Sequence, residues 1–223
     1  MTVKKKKVIP KPQLNFNLAG ILLFWAGFLI LIFTFLPVVI QEVRYDLYRP
    51  TTDFKIASTP EQAKQLKEEP KLTDTIITPV NFDFSLVIPK IGVNSTVFAN
   101  IDSGDPAVYL PVLKKGVAHA KGSALPNQRG PVFIFAHSTD TFYNIGQYNA
   151  IFFLLGKLKV GDSAYIFHQN RQYSYLVTGK QVVDSEAIPD LVRSTPGNTL
   201  ILQTCYPPGT TIKRLLVYAK LTQ

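Results

Sequence analysis

The 223-residue chain is short of the residues that usually hold small secreted or metal-binding domains together: it has one cysteine, three histidines, one tryptophan and one methionine. A lone Cys205 excludes an intrachain disulfide and a Cys-rich zinc site, so the fold must rest on an ordinary apolar core. Three histidines with no close pairing exclude a dedicated metal centre of the usual spacing. Acid is missing from residues 1–40, which carry five lysines and none of the 15 Asp and Glu. Five of the nine excess positive charges therefore sit in that leading stretch. With no Arg- and aromatic-rich motif following them, nucleic acid is set aside as a partner.

What is present begins with residues 18–40, LAGILLFWAGFLILIFTFLPVVI, without a single charge. As a helix this run reaches about 34 Å, enough to span a bilayer. It leaves through Val38, Val39, Ile40 and Gln41 with no small-residue exit, which predicts an uncleaved signal anchor and not a removed leader. Lysines before it and the mixed charges Glu42, Arg44 and Asp46 after it place residues 1–17 in the cytoplasm as a basic tail, with everything after about residue 41 outside the cell membrane.

Residues 41–80 read as an extracellular stalk or linker, with Pro50, Pro60, Pro70 and Pro79 among charged and small polar residues. Within it Thr59 caps a short helix, with Pro60 at the first helical position and Gln62 three residues after the cap. Such a stalk either spaces the following domain from the bilayer or folds back over it. Residues 81–223 form one domain whose apolar runs are short, β-branched and aromatic, and cut by turn residues, which predicts a mostly β fold. Strands are expected near 83–88, 91–98, 108–113, 131–137, 163–168, 172–178, 198–204 and 214–220, with helical pieces around 148–158 and 189–193.

Two of these runs end on reactive side chains. PVFIFAHS is nearly continuous apolar sequence stopping at His137, and LILQTCYPPG is another stopping at Cys205. A buried strand that ends on a polar group delivers it to the rim of the sheet. The next strand, RLLVYAK, opens with Arg214, so antiparallel pairing through residues 206–213 makes Cys205 and Arg214 neighbours. A thiolate nucleophile, a cation that favours the thiolate and an oxyanion, and an imidazole that moves protons near neutral pH are the parts of nucleophilic acyl transfer. Each has a plainer role as well: an inert buried thiol, a structural histidine, a solvated arginine. His119 and His168 are rivals of His137, His119 following a loop and His168 on a hairpin strand where it is expected to be exposed.

In combination, FAHS, LQTC and RLLV in that order resemble the sortases, membrane-anchored cysteine transpeptidases. GVAHAKGSALPNQRGPVFIFAHS, LGKLKVGDSAYIF and TCYPPGTTIKRLLV are similar to further stretches of that family, and the likeness runs over about 82–221. Ile201, Ala136 and Asn127 depart from its usual Thr, Gly and Gly. The resemblance implies an eight-stranded sortase-like β-barrel with short helices and a catalytic set of Cys205, His137 and Arg214. It implies attack on an LPxTG-like sorting signal near the carboxyl end of a secreted protein, a thioester, and resolution by an amine of a peptidoglycan precursor or a protein lysine. No cofactor and no metal are implied. Thr204, Ser138, Ile188 and Leu191 are the implied substrate-binding residues, the last two in a loop that shapes an apolar groove. A pilus-type member is not expected, because no second span follows and no Asp-Pro-aromatic lid precedes the domain. The competing readings are a surface peptidase that gives the thioester to water, and a membrane-tethered binding or assembly module with an idle cysteine.

Overall fold

The computed structural model describes residues 16–47, 54–68, 75–138 and 151–222. A first helix, α1 (Phe16–Leu47), carries the apolar run. Apart from the half-buried Ala19 its described side chains are exposed, with Leu23 at 74% and Phe33 at 84%. Among the described residues no helix is long and apolar enough to cross a membrane.

The segment that follows is structured as well as connecting. Strands β1 (Phe54–Ile56) and β2 (Thr75–Ile77) pair in parallel, with α2 (Pro60–Glu68) lying between them in sequence. The cap expected at α2 is present: Thr59 Oγ1 accepts the Gln62 N–H at 3.2 Å, and Gln62 Oε1 accepts the Ser58 N–H at 3.0 Å. These bonds satisfy amides that a helix start otherwise leaves bare. Ser58 Oγ donates to Gln172 Oε1 at 2.7 Å, and Asn94 ties down Thr78 and Val80, so this unit is fastened to the domain behind it.

That domain is a closed barrel. In chain order its elements are β3 (Phe84–Ile88), β4 (Val93–Ile101), α3 (Pro106–Leu113), β5 (Val117–Ala120), β6 (Val132–Phe135), β7 (Ser163–His168), β8 (Arg171–Val183), α4 (Ile188–Ser194), β9 (Thr199–Tyr206) and β10 (Lys213–Leu221). Around the barrel the order is β10-β8-β7-β3-β4-β5-β6-β9, closed by β9 on β10. Two contacts are parallel, β4 with β5 and β6 with β9, and the rest are antiparallel. The interior is filled by alternate residues of every strand, among them Leu86, Ile88, Val117, Ile134, Ile166, Tyr175, Leu202 and Val217. A second apolar layer lies outside the barrel wall, where Phe133, Phe135, Ala118, Ile201 and Leu216 are covered by α3 and α4. The crossover from α3 into β5 is tight. A Cβ at Gly116 would stand 2.5 Å from the Thr96 carbonyl oxygen, so only glycine fits there.

Several expectations need correction. Residues 108–113 are not a strand but most of α3, which starts on an Asp105 cap whose carboxylate accepts the Ala107 N–H at 2.9 Å, with Pro106 next. The strand on that side is β5, which was not anticipated. The helix expected over 148–158 is a 3-10 turn at Leu155–Lys157 preceded by turns; residues 148–150 lie outside the described residues. His168 is not exposed: it is 8% accessible, 4.7 Å from the Phe84 ring, with Nδ1 3.2 Å from the Asp83 carbonyl. In a closed barrel its strand has no solvent-facing inner side.

His119 is buried on the same Phe84 ring at 5.8 Å. Its Nδ1 accepts the Asn100 N–H, and its Nε2 faces the Ala124 carbonyl at 3.0 Å and the Ser123 hydroxyl at 2.9 Å. Burial, above all, lowers its pKa below the ordinary 6.5; the contact with the Ala124 carbonyl opposes this, and the nearby His168 adds to the lowering. The unfolded chain therefore takes up the proton first, and the stability that neutral His119 contributes is present above about pH 6.5 and lost as pH falls below it. Urea unfolding followed between pH 7.5 and 5 should show a steeper loss in the parent than in His119→Gln.

Candidate active site

The site is built where three strand ends meet. β6 and β9 run parallel, with Phe135 opposite Gln203, and the Ala136 N–H continues the ladder to the Gln203 carbonyl at 3.1 Å. Carrying that register two residues on sets His137 beside Cys205, one strand spacing or about 4.8 Å away in backbone terms. On the other side β9 and β10 are antiparallel with Cys205 directly opposite Arg214. The nucleophile candidate is thus the middle of three adjacent strands.

Alternation then decides which way the side chains point. Leu200 and Leu202 of β9, Leu215 and Val217 of β10, and Ile134 and Ala136 at the end of β6 fill the interior. Ile201, Leu216, Phe133 and Phe135 take the outer layer. Cys205, Arg214 and His137 share the outer parity, so all three fall on the wall that α3 and α4 flank. Cys205 is partly exposed. Its thiol is pushed up by burial and held back by the Arg214 charge, with burial the larger effect. It is therefore mostly protonated at neutral pH, and its reactive thiolate grows as pH rises. Arg214 Nη1 donates to the Thr211 and Lys213 carbonyls at 2.8 and 3.1 Å, which fixes the guanidinium against the loop between β9 and β10. An ion pair of 3.4 Å between Lys213 and Asp184 ties the start of β10 to the chain leaving β8.

Ile188 and Leu191 are half-buried in the outer layer beside Val183, Val192 and Tyr218. They lie on the same wall as the three polar groups, and β8 brings them there because Val183 pairs with Arg214. Thr204 and Ser138 are placed differently. Thr204 is 2% accessible and its hydroxyl donates to the Ala136 carbonyl at 3.0 Å, inside the barrel. Ser138 is 1% accessible, and its Oγ has no hydrogen-bond partner among the described residues. Neither side chain is on the open wall. Thr204 instead stitches the residue before Cys205 to the residue before His137. Thr204→Val keeps the shape but strands a buried carbonyl, so a loss of about 1–3 kcal/mol in urea unfolding is expected, with Thr204→Ser close to the parent.

One flank of the outer layer was missed from sequence. α3 was read as a strand, although Asp105-Pro106 is a cap followed by proline at the first helical position and was the available signal. Through it Tyr109 meets the Phe135 ring edge-on at 6.0 Å. Among the described residues no group of three or more His, Cys, Asp or Glu could hold a metal ion.

Comparison with known proteins places this geometry in context. Residues 86–222 match the family model described as a sortase domain. Sortase D of Bacillus subtilis (strain 168) is 27% identical over 138 residues, 60% of this chain and 61% of that protein, so the chain spans less than two-thirds of the curated relative's length. Among solved structures, the pilus-related sortase C of Group B Streptococcus aligns with a TM-score of 0.52 at 25% identity over 84% of this chain and 90% of that one. Clostridium perfringens sortase C, solved with the C-terminal cell wall sorting motif, aligns with a TM-score of 0.51 at 27% identity over 62% of this chain and 69% of that one. These likenesses overturn the expectation that the pilus-type class is excluded. A trailing span and a lid motif are features of flanking segments, whereas the barrel itself is similar to pilus-related proteins.

Proposed function

The chain belongs to the sortase family, and on that premise we propose that it is a cysteine transpeptidase cleaving an LPxTG-like sorting signal and passing the acyl group to an amine. The observation that carries the reading is the placing of Cys205 between Arg214, its cross-strand partner, and His137, at the end of the parallel neighbour. Cys205 Sγ attacks the carbonyl of the scissile peptide bond as a thiolate. Arg214, with Nη1 already held by backbone carbonyls, turns its remaining donors to the oxyanion that develops. His137 gives a proton to the departing amine, and the thioester remains. An incoming amine loses a proton to His137 as it displaces Cys205, which leaves as thiolate. The apolar outer layer with Ile188 and Leu191 receives the Leu-Pro part of the signal as extended chain. The acceptor is an amine of a peptidoglycan precursor or a protein lysine.

The domain assignment goes with this reading. Residues 18–40 are the membrane anchor, residues 1–17 the cytoplasmic tail, residues 41–80 the extracellular stalk, and residues 81–223 the catalytic domain. Partners are secreted proteins bearing the sorting signal. The test is product analysis of the full chain in detergent with an LPxTG-type peptide and triglycine or a lysine-bearing peptide. Amide product supports transpeptidation, free acid alone supports a peptidase, and neither product from a folded preparation argues for an idle cysteine.

A further inference from the structure

Helix α3 breaks the usual pattern for a helix packed on one side. Its sequence, PAVYLPVL, has no charged residue. Tyr109, Val112 and Leu113 supply the inward face, against the outer layer of the barrel wall. The opposite face is Pro106, Ala107, Val108, Leu110 and Pro111, all exposed and all apolar, with Val108 at 42% and Leu110 at 40%. A helix of this kind ordinarily turns polar residues to water, and a contiguous apolar outer face marks a contact surface.

The two ends of the patch carry opposite charge. Asp105 caps the first turn, while the neighbouring Asp102 is already paired with Lys121 at 3.5 Å. Lys114 and Lys115 follow the last turn and are exposed. We propose that this face is the contact between two copies of this chain, packed α3 against α3 in antiparallel sense about a twofold axis. The helix has eight residues, so a twofold near Tyr109 and Leu110 sets Asp105 of one copy near Lys115 of the other, twice over. Ala107 lets the two backbones approach closely. A parallel arrangement would set lysine against lysine. An anionic bilayer would attract one end of the patch and repel the other, so the charge pattern suits a second copy better than a lipid surface.

A face of this size is smaller than the ~1,000 Å² that a stable soluble dimer buries, so the pairing is weak in dilute solution and grows with local concentration. The test uses the full chain in mild detergent, as Cys205→Ala so that an introduced thiol is the only one. Leu110→Cys should form a disulfide-linked dimer under mild oxidation, increasing with protein concentration and at least fivefold above Val160→Cys, a control 74% exposed in the turn before β7. Adding Lys115→Glu to Leu110→Cys should cut the yield several-fold. Equal cross-linking at the two positions, indifference to Lys115→Glu, or binding to anionic vesicles with no dimer at any concentration would overturn the proposal.

Discussion

Cys205→Ala is expected to abolish acyl transfer outright, a loss on the order of 10⁵–10⁶-fold that reads as no activity above background. The chain holds one cysteine, so no second thiol can form the thioester. Because the side chain is partly exposed and lies outside the interior cluster, its loss leaves no large cavity, and the unfolding midpoint should stay near that of the parent. Loss of activity with an unchanged midpoint separates chemistry from folding. A peptidyl vinyl sulfone bearing the sorting sequence should add its mass to the parent and to nothing in the variant. Retained transfer by Cys205→Ala would remove the proposed mechanism, and a parent that is folded yet inert to both probe and substrate would make the cysteine a structural one.

The thiol's environment makes the same experiment informative across pH. Burial raises the Cys205 pKa more than Arg214 lowers it, so alkylation by iodoacetamide should be slow at pH 7 and climb on the alkaline side. On the proposed mechanism the working form is a minority thiolate, and His137 supplies the proton that the leaving amine takes up.

How much of this was legible beforehand depends on what each segment buries. PVFIFAHS and LILQTCYPPG were readable as central strands because β6 and β9 are apolar on both faces, one facing the barrel interior and the other the α3 and α4 layer. The pairing of Cys205 with Arg214 followed from loop length alone. α3 was misread for the same physical reason that makes it unusual: eight apolar residues without a polar face carry no 3.6-residue period, and only the Asp105-Pro106 start distinguishes helix from strand. His168 was misjudged because hairpin alternation predicts one wet face, and closure of the barrel removes it. Thr204 and Ser138 could be placed near the reactive residues by sequence but not on a face. Beyond the last rung of β6 only coordinates show that Thr204 turns inward to the Ala136 carbonyl. β1, α2 and β2 show the same division. Capping residues announced α2, while the parallel pairing of two three-residue strands has no local signature.

Arg214→Ala should lower kcat by about 10²–10³-fold with a smaller change in KM, the size seen when one oxyanion donor is removed. The same variant should move Cys205 alkylation to still higher pH, because the Arg214 charge that lowers that pKa is withdrawn while burial remains. Arg214→Lys tests which part of the side chain matters. Lysine restores a charge near the thiol, so the alkylation profile should return most of the way. It lacks the planar fork that Nη1 anchors to Thr211 and Lys213, so the rate should recover far less. Lys213→Ala is the neighbouring control. Its ion pair to Asp184 is exposed, which limits its worth to at most about 1 kcal/mol, and neither profile should move appreciably. A rate that falls equally in Lys213→Ala and Arg214→Ala would mean that position 214 acts only by holding the loop between β9 and β10, and the oxyanion would have to be sought by backbone amides instead.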